Sequence, residues 1–176
     1  MKTVTLDINV LPGDDLIELA RSMGWDVVVV SVTERELGHG DRRLQVAGLG
    51  KVLELGIIGE SEVGNCVVGG GDDYMESIIQ IISNGSFPKS GSRGQLSNGQ
   101  RRQLRDAMIL DAHAREGRSV FVTNDMRGFI DGGRREMLQA LLKTKILNGK
   151  EFFSGASELK IHGASSVYGK PCPSYY

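Results

Sequence analysis

Apolar and polar residues alternate along the chain in two rhythms, one typical of strands and one typical of helices. The β-branched runs at residues 3–8 and 27–30 predict two buried strands. Between them, a helix is predicted to begin at Pro12 and to end at Gly24. A strand, a helix and a second strand in this order predict the opening unit of a parallel α/β fold.

The second half of the chain shows the same two rhythms. An amphipathic helix starting near Asn98, a turn at residues 116–118 and an apolar strand at 119–122 are followed by a helix at 134–143 and an edge strand at 145–147. Because strands joined by helical crossovers run parallel, the strands at 3–8, 27–30 and 119–122 are predicted to be parallel neighbours in one sheet. The predicted fold is a three-layer α/β/α sandwich with a central, mainly parallel sheet.

The middle of the chain is rich in glycine between residues 38 and 71, including the run at 69–71, and two alternatives stay open there: an extra hairpin and a loop-rich insertion. A short helix over 31–37 precedes it. A helix opening at Asp72 and Asp73 follows, and residues 85–99 predict a mobile loop near the substrate path. The residues predicted to be buried by the helix are Met75, Ile78, Ile79 and Ile82.

Length and composition predict one globular domain over residues 1–162, with a Gly-rich insertion at about 38–98 and a poorly ordered tail over 163–176. Of 176 residues, 40% are hydrophobic and 24% are charged, and the net charge is -1, so a nucleic-acid partner would have to be bound by local clusters. Cys66 and Cys172 have neither disulfide nor metal-site spacing. Without a leader or a membrane-spanning run, the expectation is a cytoplasmic protein with no membrane contact.

Acidic residues follow the predicted strands. Asp7 closes the first, Glu36 comes a few residues after the second, and Asp125 closes the strand at 119–122. The helix that holds Asp106 returns to the same edge, because about ten residues of helix and about six of strand cover similar lengths. Since open α/β sheets bind ligands at the carboxyl ends of their strands, the four acids are predicted to share one mouth.

Each of these four acids also has a structural alternative. Asp7 could cap the following helix, and Asp125 could form a turn. Glu36 stands three residues after Thr33, in the pattern of a capping box.

The helix around Asp106 carries the remaining candidates. Asp106 could be a solvated acid balanced by Arg102, one turn earlier. Asp111 is five positions further on and is predicted to be solvated on another face. Asp131 is kept as an optional fifth ligand from the loop after Asp125.

Four motifs resemble those of the PIN-domain nucleases and occur in that family's order. LDINVL at 6–11, SVTEREL at 31–37, RDAMILDAHAREG at 105–117 and VFVTNDMRGF at 120–129 are similar to its first to fourth motifs. The resemblance covers residues 3–37 and 105–130 and is absent over most of 38–98. It implies a PIN-like fold and a nuclease of the toxin type found in toxin–antitoxin pairs. The acids it assigns are Asp7, Glu36, Asp106 and Asp125.

Crowded carboxylates repel one another, and a bound divalent cation removes that cost. An oxygen-only ligand set favours Mg²⁺ or Mn²⁺, and His39, His113 and His162 are not expected to be ligands. The expected reaction is metal-assisted hydrolysis of phosphodiester bonds, with single-stranded RNA as the favoured substrate. A protein antitoxin and a homodimer remain options for partners.

The predicted substrate contacts are Asn9, Thr123, Asn124, Arg101, Arg102 and Arg105. For the arginines a solvated surface is an equal alternative. Two other functions stay open: a non-catalytic PIN-like module that binds RNA or protein, and another Mg²⁺-dependent phosphohydrolase. The GxxxxGK[ST] and GxGxxG nucleotide-binding motifs do not occur in the sequence.

Overall fold

The structure, a computed structural model, describes residues 1–11, 14–37, 41–58, 60–68, 74–89 and 92–155. The strands are β1 (Lys2–Leu6), β2 (Trp25–Val30), β3 (Gly50–Val52), β4 (Glu54–Leu55), β5 (Cys66–Val67), β6 (Val120–Val122) and β7 (Lys145–Leu147). The helices are α1 (Asp14–Ser22), α2 (Ser31–Glu36), α3 (Asp41–Ala47), α4 (Tyr74–Ile82), α5 (Asn98–Arg115), α6 (Arg134–Leu142) and α7 (149–155).

Five strands form the main sheet in the order β3-β2-β1-β6-β7, and every neighbouring pair is parallel. The prediction that the strands at 3–8, 27–30 and 119–122 are parallel neighbours in one sheet is therefore confirmed. Parallel pairing brings the carboxyl ends of all five strands to one edge. In the insertion, β4 and β5 also pair in parallel, so the hairpin alternative was wrong for this segment.

Hydrophobic residues cover both faces of the sheet. In β2 the alternation of a pleated strand sends Val27 and Val29 to one core and Val28 and Val30 to the other. The first core is covered by α1 and α7, and the second by α4, α5 and α6. Burial on both faces explains the four consecutive valines and is compatible with a three-layer α/β/α sandwich.

The insertion contains more regular structure than its glycines suggest. Strand β3 extends the main sheet, and α4 buries Met75, Ile78, Ile79 and Ile82, as predicted. Within the predicted loop at 85–99, the described residues 85–89 and 92–97 contain no strand or α-helix, but Phe87 is buried in the core. Ser97 caps α5 in a capping box with Gln100.

Some predictions lie outside the described residues. They concern Pro12, His39, the glycines at 69–71, the helix start at Asp72 and Asp73, His162, Cys172 and the tail. Of the helices in the described ranges, none has the length and hydropathy that crossing a membrane requires.

Candidate active site

Asp7 is held where β1 ends. Its side chain is 1% exposed and caps a 3-10 helix, Ile8–Val10, by accepting a hydrogen bond from the Ile8 amide at 2.7 Å. Its own amide donates to the Val122 carbonyl of β6 at 3.0 Å, which fixes the residue between two strand ends. The capping alternative therefore holds for this position: one carboxylate oxygen serves the cap and the other points to neighbouring side chains. The role of Asp7 as a site residue stays a prediction.

The second oxygen of Asp7, Oδ2, accepts hydrogen bonds at 2.7 Å from the Thr123 hydroxyl and from the Asn9 amide. Thr123 is fully buried, and its hydroxyl also accepts from the Asp125 amide at 3.0 Å. Asn9 in turn accepts from the Asn124 amide at 2.6 Å through Oδ1. Thr123 was predicted to contact substrate, but its burial and its hydrogen bonds make it a residue that positions Asp7.

Asp125 opens the turn after β6. Its Oδ1 accepts from the Gly128 amide at 2.9 Å and caps a single π-helical turn, Met126–Ile130. A Cβ atom at position 128 would lie 2.5 Å from Asp125 Oδ2, so a side chain there would displace this carboxylate from its present position. The turn-forming alternative therefore holds for Asp125, and its role as a site residue stays a prediction.

Asp106 lies in the middle of α5 and is partly buried. Its pKa is raised to about 8, first by burial and then by the charges of Asp7, Asp125 and Glu36, in that order. The charge of exposed Arg102 lowers this pKa but does not cancel the rise. Among the described residues the Asp106 carboxylate has no hydrogen-bond or ion-pair partner, so its surroundings leave its charge uncompensated.

The pKa of Asp7 is raised to about 6 in the same field. Burial is the largest cause, the hydrogen bonds from Thr123 and Ile8 oppose it, and the charges of Asp125 and Glu36 add to it. The charges of the four motif acids thus act on one another at the carboxyl edge of the sheet, although the acids come from four different segments of the chain.

Glu36 is the last residue of α2, and its side chain is 20% exposed. The capping-box alternative for this residue was wrong. The helix begins at Ser31 with Val30 as its N-cap, so Thr33 lies inside the helix, where its buried hydroxyl has no hydrogen-bond partner among the described residues. Glu36 contacts Arg105 instead, at 3.3 Å.

The three arginines of α5 have different surroundings. Arg101 and Arg105, one turn apart, both pair with Glu60, whose side chain is only 4% exposed, and the Arg105 Nε to Glu60 Oε2 distance is 3.2 Å. Arg105 therefore bridges Glu60 and Glu36. Arg102 points to solvent. The solvated alternative consequently applies to Arg102, while Arg101 is both paired and partly exposed.

Two further acids lie outside the cluster, Asp111 and Asp131. Asp111 was predicted to be solvated, but it is 1% exposed and pairs with Arg115 at 2.9 Å, because its face of α5 packs under the chain near β4. Asp131 is exposed at the end of the π-helical turn. Its charge is not among those that raise the pKa of Asp7 or Asp106.

Sequence reasoning missed two buried acids in the insertion. Glu54 is fully buried and pairs with Arg35 at 2.6 Å and with the Ser31 hydroxyl, which joins the insertion to the start of α2. Glu60 joins it to α5. Neither acid lies in a motif or a clear periodic pattern, so the sequence contained no local signal for them.

The arrangement of donors can be compared with the needs of a divalent ion. The acid cluster offers only oxygen ligands, and the Asp106 carboxylate is uncommitted, which suits Mg²⁺ or Mn²⁺ by donor type. Within the described ranges, however, no three His, Cys, Asp or Glu side chains are grouped closely enough to hold an ion as they stand. Asp7 and Glu36 are held by protein donors, so an ion would require local side-chain rearrangement.

His113, predicted not to be a ligand, is a buried core residue. Its ring nitrogens contact the hydroxyls of Thr5 at 2.9 Å and Thr144 at 2.7 Å, and burial lowers its pKa to about 3. Both ring nitrogens already have hydrogen-bond partners, so the side chain serves the packing of the core.

Comparison of the chain with protein-family models, with curated proteins and with solved structures gives no match.

Proposed function

We propose that the protein is a divalent-metal-dependent nuclease that hydrolyses phosphodiester bonds, with single-stranded RNA as its substrate. The observation that carries the proposal is the cluster of Asp7, Glu36, Asp106 and Asp125 at the carboxyl edge of a parallel sheet, in which the Asp106 carboxyl group has no partner among the described residues. Burial and, after it, the neighbouring carboxylates raise the pKa values of Asp7 and Asp106, and groups with pKa values shifted in this way concentrate at functional sites.

Mg²⁺ or Mn²⁺ would be held by Asp7, Asp106 and Asp125, with Glu36 as a further ligand, and would supply a nucleophilic water and charge neutralisation on phosphate. The protein side of the chemistry is positioning. Thr123 keeps Asp7 Oδ2 oriented, and Gly128 leaves room for the Asp125 carboxylate. The exposed side chains of Asn9 and Asn124 lie beside these acids and can contact a substrate phosphate.

The narrower proposals rest on the similarity of the four motifs to PIN-domain nucleases. They are that the sandwich is PIN-like, that the enzyme is an endoribonuclease acting as the toxin of a toxin–antitoxin pair, and that it works in the cytoplasm. An antitoxin or a second copy of the chain would then be its protein partner.

The test is cleavage of a fluorescently labelled single-stranded RNA by the purified protein in the presence of millimolar Mg²⁺ or Mn²⁺. The same reaction with EDTA is the control. Cleavage that requires the ion is expected, and single-stranded DNA of the same sequence serves as the comparison substrate. No cleavage of either polymer under any of these conditions would contradict the proposal.

Two alternatives would show themselves in the same assay. Binding of RNA without cleavage, unaffected by EDTA, would indicate a binding module. The contact that favours this alternative is the ion pair between Arg105 and Glu36, because it holds Glu36 without a metal ion. Hydrolysis of p-nitrophenyl phosphate without cleavage of RNA would indicate a small-molecule phosphohydrolase.

A further inference from the structure

A cavity of about 300 Å³ lies beside the N-terminal half of α5, within the insertion that has no counterpart in the motifs. Its floor is apolar: Leu104 is buried in the core, and Ile57 and Leu96 pack against that core. Ile58 stands at its mouth with its side chain fully exposed. The charged residues of the lining are Glu60, Arg93 and Arg101.

Both arginines of the cavity are fixed by contacts that leave part of each guanidinium available. Arg93 pairs with Glu76 at 2.7 Å, donates to the Pro88 carbonyl at 3.1 Å and lies over the Phe87 ring at 5.1 Å. Arg101 uses Nη1 to pair with Glu60, and 42% of its side chain is exposed. An anion can therefore bind Arg101 without breaking the pair, and a side chain already ordered loses less entropy on binding.

The cavity is connected to the acid cluster by a continuous set of contacts. Arg101 and Arg105 bracket Glu60, and they are separated by about one helical turn, or about 5.4 Å along the axis. Arg105 also contacts Glu36 and directly precedes Asp106. A chain bound at the cavity would thus have its next unit close to the acids.

We propose that this cavity is a nucleotide subsite of the nuclease, an inference that rests on the proposed function. The phosphate binds Arg101, and the base lies on the apolar surface of Ile57, Leu96 and Leu104. Single-stranded nucleic acid is recognised by cations that contact its backbone together with apolar or aromatic surfaces that cover its bases, and this cavity offers both. Its volume is at the small end of ligand sites, which suits one nucleotide rather than a folded partner.

The experiment is an NMR titration of the metal-free Asp106→Asn protein with adenosine 5′-monophosphate and, separately, with inorganic phosphate. The nucleotide is expected to bind at least about tenfold more tightly than phosphate, because only the nucleotide has a base to cover the apolar floor. Its shift changes should include Ile57, Leu96 and Leu104.

Arg101→Gln keeps a hydrogen-bonding group beside Glu60 but removes the charge, and it is expected to weaken nucleotide binding at least about tenfold. The matched control is Arg135→Gln, since Arg135 is also a partly exposed arginine paired with a glutamate, Glu151, at 3.0 Å. That variant should bind as before. Thermal unfolding of both variants shows whether each is folded, and Arg101→Met, which also removes the charge, replaces Arg101→Gln if the latter is not.

Equal affinity for nucleotide and phosphate, unchanged binding in the folded Arg101 variant, or shift changes confined to other regions would each overturn the subsite. These outcomes are separable from the nuclease proposal. Metal-dependent RNA cleavage without nucleotide binding at the cavity would remove the subsite alone. Nucleotide binding there in a protein that cleaves no polymer would support the subsite and remove the nuclease.

Discussion

Asp106 and Asp111 lie five residues apart on α5 and are both shielded from water, yet the two halves of this helix treat a carboxylate in opposite ways. In the second half, Asp111 is almost fully buried and is neutralised by Arg115 one turn later. In the first half, Asp106 faces Asp7, Asp125 and Glu36, and burial and repulsion raise its pKa to about 8. Burial by itself therefore does not mark a site. What indicates a functional site is a group of acids that the fold brings together without a compensating positive charge beside each of them.

The largest expected effect is on activity. Asp106→Asn should lower metal-dependent cleavage of single-stranded RNA at least about a hundredfold, because it removes a charged ligand from the cluster. Asp7→Asn and Asp125→Asn should do the same. Initial rates measured with a labelled RNA at saturating Mg²⁺ check this.

Asp111→Asn is the matched control for that series, since it makes the same chemical change on the same helix. It should cleave at close to the wild-type rate at temperatures where it is folded, while losing about 1–3 kcal/mol of stability as Arg115 loses its partner. A hundredfold loss of cleavage in folded Asp111→Asn would break the distinction between the two halves.

The next effect is on stability and has opposite signs at the two positions. Without metal, Asp106→Asn should raise the free energy of unfolding at pH 7 by about 1–3 kcal/mol, because the folded state no longer has to keep a carboxyl group protonated or repelled. Urea denaturation measures it.

The sign of that effect follows from the raised pKa. The contribution of Asp106 to stability is fully present below its unfolded pKa of 3.8 and is lost as the pH rises through its folded pKa of about 8. Millimolar Mg²⁺ should stabilise the wild type more than Asp106→Asn, since only the intact cluster gains a counter-charge. A variant that is less stable than the wild type at pH 7 without metal would contradict the assignment of uncompensated charge.

Glu36→Gln has a smaller expected effect. Cleavage should fall about tenfold, because Glu36 contributes charge at the margin of the cluster while sharing Arg105 with Glu60. Stability should change by less than about 1 kcal/mol, since the residue is partly exposed and does not cap α2. Single-turnover kinetics compare the two proteins, and a normal rate would reduce the functional acids to three.

The smallest effect concerns His113, two residues after Asp111 and equally satisfied. Its pKa is lowered to about 3 by burial, so its contribution to stability is fully present above the unfolded value of 6.5 and is lost as the pH falls toward 3. Between pH 7 and pH 5.5 this group should cost the wild type about 1 kcal/mol relative to His113→Gln. An imidazole NMR signal of His113 that titrates near pH 6.5 in the native protein would refute it.

The fold was predictable to the extent that its signals were local. The strands at 27–30 and 145–147, the start of α5 near Asn98 and the buried face of α4 were all read correctly, because each depends on the periodicity of a short segment. The insertion was not, since strands of two or three residues between glycines have too few positions to show a period.

The candidate site was predictable in its acids and not in its partners. Parallel topology is enough to bring residues that follow strands to one edge, which is why Asp7, Glu36 and Asp125 could be grouped in advance. The mistaken predictions were about individual surroundings. Asp111 was expected in solvent, and Thr33 was expected to cap a helix that begins two residues before it.

The sequence by itself determined that this protein is an α/β chain whose strand order and crossovers collect several carboxylates at one edge, because hydrophobic period and chain connectivity are properties of neighbours along the chain. Only the tertiary structure decided which charges are compensated. Glu60 reaches Arg105 across 45 positions of sequence, and Thr123 reaches Asp7 across 116. Such pairs depend on how distant segments pack, and packing also sets the burial that turns an ordinary aspartate into one with a raised pKa.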